Sequence, residues 1–67
     1  MKDLSWIPKK YQERVYSIEK EDDLIDDCKY ILYFMNGYVF ADYSSVPVKN
    51  KKDALYFIKN AYYEEVK

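Results

Sequence analysis

The chain has 67 residues, 49% of them hydrophobic and 34% charged, with 11 Lys+Arg against 12 Asp+Glu for a net charge of -1. It is too apolar for a disordered chain, too charged for a membrane span and too short for a two-domain enzyme; a single domain of this size, residues 1–67, buries only about 60% of the surface its unfolded form exposes. Histidine is absent, which removes the usual general base, the usual pH switch and the commonest metal ligand.

Near the N-terminus, Tyr11, Val15 and Ile18 recur at spacings of four and three, with Pro8 just ahead. This predicts a helix over residues 9–20 with the proline in its first turn. The rival reading, a strand from Val15 to Ile18, would send those two side chains to opposite faces, so the helix is preferred. Residues 19–28 are acidic around Leu24 and Ile25 and predict a turn or short helical piece. Tyr30–Met35 and Tyr38–Tyr43 are β-branched and aromatic runs flanking Asn36-Gly37, and Gly37 is the only glycine. They predict a β-hairpin closed by a type I′ turn. Val46 and Val48 flank Pro47 and form a short third strand at an edge, where proline is tolerated. Asn50 as N-cap, Asp53 three residues on, and Ala54, Leu55, Ile58, Ala61 and Tyr62 at helical spacing predict a helix over 51–65. The expected fold class is α+β, in the order helix, β-hairpin with a short third edge strand, helix; the alternative is β-β-β-α.

In such a hairpin one face carries Tyr30, Leu32, Phe34, Val39, Ala41 and Tyr43, and the other carries Ile31, Tyr33, Met35, Tyr38 and Phe40. Both are apolar, whereas a sheet with one wet face alternates. The C-terminal helix covers one face. The second is covered by the N-terminal segment with Trp6 and Ile7, by a second copy of the chain, or by a partner. Tyr56 and Tyr63, seven residues apart, point away from the Leu55/Ile58/Tyr62 stripe and supply a packing surface of the kind enriched at interfaces.

Charge is segregated. Glu19 to Asp27 holds six acids and one lysine, a local -5, and Val48 to Lys59 holds four lysines and one aspartate, a local +3. The acidic run lacks the glycine and terminal glutamate of a Ca²⁺ loop, so no metal site is expected. Spaced carboxylates on a stiff edge can imitate nucleic-acid phosphates against a basic groove, which nominates Glu21, Asp22, Asp23, Asp26 and Asp27. Lys49, Lys51 and Lys52 stand beside a helix N-terminus and are suited to phosphate. The stretch Asn50-Lys51-Lys52-Asp53-Ala54 resembles the start of the second helix in double-stranded-RNA-binding domains. Over these five residues the resemblance implies phosphate contacts by Lys51 and Lys52. The long strands and glycine-rich loop of that family are absent.

One glycine cannot build a phosphate-cradling loop, and no Ser-His or Cys-His pair exists. Cys28, the single cysteine, reads as a small buried hydrophobe. No catalysis and no cofactor are expected. The lone thiol, the lack of a signal-peptide run in Met1–Pro8 and the shortness of the longest apolar stretch, Tyr30–Met35, place the expected location in the cytoplasm, a host's if the gene is viral, with no membrane role. The expected function is non-catalytic protein interaction: a small inhibitor of phage or mobile-element type, acting on a host nucleic-acid-handling or defence protein such as a CRISPR effector. The alternatives are a nucleic-acid binder using Lys49, Lys51 and Lys52, and a structural homodimer.

Overall fold

The computed structural model describes residues 4–64. In chain order they form α1 (Lys9–Gln12), β1 (Val15–Lys20), a 3-10 turn (Ile25–Asp27), β2 (Tyr30–Phe34), β3 (Tyr38–Val39), β4 (Ser45–Val48), α2 (Lys51–Asn60) and β5 (Tyr62–Tyr63). The fold is α+β: an antiparallel sheet in the order β1-β2-β4, a two-stranded β3-β5 ladder and one main helix. Among the described residues no helix is long and apolar enough to cross a membrane.

The helix expected over 9–20 is a single turn followed by a strand. Tyr11 N–H donates to the Pro8 carbonyl at 2.8 Å, and α1 ends at Gln12. In β1, Val15 pairs with Phe34 and Ser17 with Tyr33, so the strand carries one extra residue, a β-bulge at Tyr16. A bulge shifts the in/out alternation by one. Val15 and Ile18 are therefore both buried on one strand although three residues apart. The bulged strand imitates a helical spacing, which is why the periodicity misleads here.

The expected hairpin is also rearranged. The turn forms, with Tyr38 N–H donating to the Met35 carbonyl at 2.9 Å. Of its two central residues only Gly37 has positive φ, 97°. That is the pattern of type II, which splays the flanking strands where type I′ would keep them together. β2 accordingly pairs with β1 and β4, and β3 pairs with β5 through Tyr38↔Tyr63 and Val39↔Tyr62. The third edge strand is present as β4, with Pro47 on the outermost strand of the sheet.

Leu32 and Phe34 of β2 point into a core built from Ile7, Val15, Ile18, Val46, Val48, Ala54, Ile58 and Ala61. Ile7 joins this core and Trp6 packs against it, so the N-terminal segment fills the helix side of the sheet. The opposite face of β2, carrying Ile31 and Tyr33, is half-buried. Tyr38 and Phe40 pack against the core instead, and Met35 is 39% exposed. The five residues Ile31, Tyr33, Met35, Tyr38 and Phe40 thus do not share one face, because the strand pairing that would align them is not made.

Asn50 caps α2 as expected: its Oδ1 accepts the Asp53 N–H at 2.9 Å, and the Asp53 carboxylate accepts the Lys49 N–H at 3.0 Å. The helix stops five residues short of the expected end at 65, a position outside the described residues. Asn60 donates from Nδ2 to the Tyr56 carbonyl at 2.8 Å, Ala61 is extended, and Tyr62 and Tyr63 leave to pair with β3.

Arg14 closes the structure. Its Nη1 donates to the carbonyls of Ile58, Lys59 and Ala61 at 3.0, 3.2 and 3.0 Å, capping the end of α2 with a positive charge. Its guanidinium lies 5.0 Å from the centroid of the Tyr11 ring and 6.0 Å from that of Tyr38. Hydrogen bonds to charged groups contribute about 1.5–3 kcal/mol each at most, and they share one donor nitrogen here. We expect Arg14→Ala to lower the urea-unfolding free energy by about 2 kcal/mol, with Arg14→Lys recovering less than half of it.

A Cβ on Gly37 would stand 2.6 Å from the Tyr63 ring. Gly37→Ala is expected to cost about 1–3 kcal/mol. In a double-mutant cycle, Tyr63→Ala should relieve the steric part and leave the cost of positive φ.

Candidate functional site

The acidic segment is a loop tied at its base. Glu21 N–H donates to the Lys29 carbonyl and Cys28 N–H to the Ile25 carbonyl, both at 3.0 Å. Asp23, Asp26 and Asp27 have φ of 62°, 53° and 60°. Aspartate tolerates this left-handed region better than most residues. Three of the acids nominated from sequence therefore also shape the loop. Glu21, Asp22, Asp23, Asp26 and Asp27 are all exposed, and none is held in an ion pair among the described residues.

A groove of about 670 Å³ runs between this loop, the outer edge of β4 and α2. Asp26 and Asp27 stand on one side, with Ile25 and Cys28 beside them; Val46, Pro47, Phe57, Phe40 and Tyr43 supply apolar surface. Ile25 is 69% exposed and Tyr43 66%. Phe40 meets Phe57 edge-on at 4.8 Å between centroids, and Tyr56 lies 5.5 Å from Phe57 and 6.3 Å from Phe40. Tyr56 is thus packed on the groove's aromatic wall, although it does not itself line the groove with Asp26 and Asp27.

Tyr63 does not share that place. It lies on β5 rather than on the helix, with its ring 5.4 Å from that of Tyr38 in an edge-to-face arrangement. Sequence reasoning missed the groove because its apolar members come from four separate stretches. The exposed Ile25 inside an acidic run was the one local signal.

The basic cluster is divided. Lys49 lines the groove with Asp26, Asp27 and Asp53. The Lys51 ammonium stands 5.6 Å from the Trp6 ring centroid. Lys52 is exposed on the first turn of α2. Asn50 and Asp53 already occupy backbone N–H groups at this helix start, one inside it and one just ahead of it. Cys28 is a free, half-buried thiol. Among the described residues no group of three or more Cys, Asp or Glu is placed to hold a metal ion.

The wall of the groove turns on residues 40–43. Phe40 N–H donates to the Tyr43 carbonyl at 2.9 Å and Tyr43 N–H to the Phe40 carbonyl at 2.8 Å. Ala41 and Asp42 have φ of 48° and 68°. This is the positive-φ pair of a type I′ turn, displaced from Asn36-Gly37, where the sequence places it. Asp42 anchors the turn by accepting the Tyr62 hydroxyl at 3.2 Å. Partial burial first, then this hydrogen bond and the carboxylate's charge, hold the Tyr62 phenol above its ordinary pKa.

No family model, no curated protein and no solved structure matches the chain. The resemblance to double-stranded-RNA-binding domains therefore rests on Asn50–Ala54 alone, the cap and first turn of α2.

Alanine is a poor occupant of the left-handed region and glycine a good one. Ala41→Gly is expected to raise stability by about 0.5–1 kcal/mol, read as a higher urea midpoint with an unchanged slope.

Proposed function

We propose that the chain is a non-catalytic protein-interaction module whose acidic loop engages a basic, nucleic-acid-binding surface of a larger protein. In its concrete form the proposal is a small inhibitor of phage or mobile-element type that docks on a host nucleic-acid-handling or defence protein such as a CRISPR effector, an analogy from size and surface character. The observation that supports it most is the set of five exposed carboxylates, Glu21, Asp22, Asp23, Asp26 and Asp27, on a loop closed by two backbone hydrogen bonds. Exposed carboxylates with no ion-pair partner among the described residues can stand where phosphates would stand, and they steer association with a basic partner. Tyr56, packed against Phe57 of the groove wall, adds exposed aromatic area.

The nucleic-acid-binding alternative has less support. Of its three lysines, Lys49 shares a groove with three carboxylates and Lys51 is turned toward Trp6. The homodimer alternative keeps only the half-buried Ile31 and Tyr33 from its five-residue face.

The test begins with capture of the partner from host lysate and proceeds with that partner purified. Asparagine is the substitution of choice, since it removes charge and tolerates the backbone of Asp23, Asp26 and Asp27. The combined Asp22→Asn, Asp23→Asn, Asp26→Asn and Asp27→Asn variant is expected to associate roughly tenfold more slowly at low salt. The difference should shrink as salt rises. Nucleic acid should compete with the wild-type chain for the partner. Unchanged association of the asparagine variant would overturn the reading. So would salt-sensitive binding of DNA or RNA by the chain itself that disappears on replacing Lys49, Lys51 and Lys52 with glutamine.

A further inference from the structure

From the groove beside β4 we infer that the chain takes a basic segment of its protein partner that carries one bulky aromatic side chain, seating the ring against Phe40 and Phe57 and the flanking cations against Asp26 and Asp27. The inference rests on the protein-interaction reading above and specifies what the acidic loop and the apolar wall do together.

Three features carry it. The groove is apolar where it meets the sheet and helix, through Phe40, Val46, Pro47 and Phe57, and acidic at one side, through Asp26 and Asp27. Its three carboxylates face one lysine, and Asp53 is already engaged by the Lys49 N–H. The charge complementarity therefore calls for added cations, and the aromatic wall calls for a ring between them. The second feature is the exposure of Ile25 and Tyr43 at 69% and 66%. Two large apolar side chains of the groove's lining left in water gain free energy when an occupant covers them. The third is Pro47 on the outermost strand of the sheet. Proline has no N–H, so an added strand would lose a ladder bond at that point. Side-chain insertion, rather than extension of the sheet, is the mode this edge permits.

Cys28 lines the groove and is the single cysteine of the chain, so it reports occupancy without any substitution. The probe is a capped peptide, Gly-Lys-Trp-Arg-Lys-Gly, compared with Gly-Lys-Gly-Arg-Lys-Gly and Gly-Glu-Trp-Glu-Glu-Gly. Titrated into the isotope-labelled full chain, the first peptide should move the amide resonances of Cys28, Tyr43, Val46 and Phe57 and slow alkylation of the Cys28 thiol. Asp26→Asn with Asp27→Asn should weaken it about tenfold, and Ile25→Ser with Tyr43→Ala should do so by a similar factor. All four side chains are exposed, so these variants are expected to fold. Equal binding of the peptide that lacks tryptophan, or equal binding of the acidic peptide, would overturn the proposal. Resonance changes confined to Asp22 and Asp23 with an unprotected thiol would overturn it also. The two readings separate with the captured partner. If the four-site asparagine variant loses the partner and the Ile25→Ser, Tyr43→Ala variant keeps it, the groove proposal fails while the acidic-loop reading stands. If both variants keep it, both fail.

Discussion

One guanidinium ties the two ends of this small fold together. Arg14 sits between α1 and β1, and its side chain reaches the carbonyls of Ile58 and Lys59 in the last turn of α2 and of Ala61 just beyond it. The same residue's backbone carbonyl accepts the Met35 N–H at 2.7 Å, next to the strand bulge. A chain of this size has little apolar area to hold distant segments in place, so a charged group shared by several acceptors has a large effect on its stability. Arg14 Nε is buried without a hydrogen-bond partner. The Tyr11 and Tyr38 rings at the guanidinium stabilise its charge by cation–π attraction in place of a further acceptor.

Around that anchor, three local irregularities decide what the surface offers. The bulge at Tyr16 turns both Val15 and Ile18 inward and leaves Tyr16 exposed. The turn at Gly37 splays the chain so that β3 leaves the main sheet and finds β5. The tight turn at Ala41-Asp42 then brings Phe40 and Tyr43 to opposite ends of one short bridge, beside Phe57. Without the second of these, residues 38–43 would compete for an edge of β2, both of which β1 and β4 take here. With it, β4 becomes the edge, and the acidic loop and the aromatic wall border a common groove.

The inferred docking groove depends on that neighbourhood as well as on charge. An acidic loop by itself is a solvated surface feature. Here it adjoins exposed apolar side chains, and Lys49, the one lysine in the groove's lining, leaves it with an excess of carboxylates. Steering by charge and retention by apolar contact are separable contributions, one to association and the other to dissociation.

Much of the fold and part of the site were legible in the residue order. The α+β class, the Asn50 cap with Asp53 behind it, the edge strand around Pro47, and the exposed acidic connection all depend on signals within a few residues. A cap, a proline or a left-handed aspartate acts on its own backbone. Strand partnership is different, since it is a competition among distant N–H and C=O groups for the two edges of β2. Tertiary structure gave those edges to β1 and β4, and so placed Tyr38 and Val39 against Tyr62 and Tyr63 rather than against Met35 and Phe34. The same competition ended α2 at Asn60 and separated Tyr63 from Tyr56. Sequence by itself determined which residues bear charge and where the local elements begin. Only the packed structure decided which of them meet, because one extra residue in a strand, or one φ angle in a turn, reverses a face without altering any local preference.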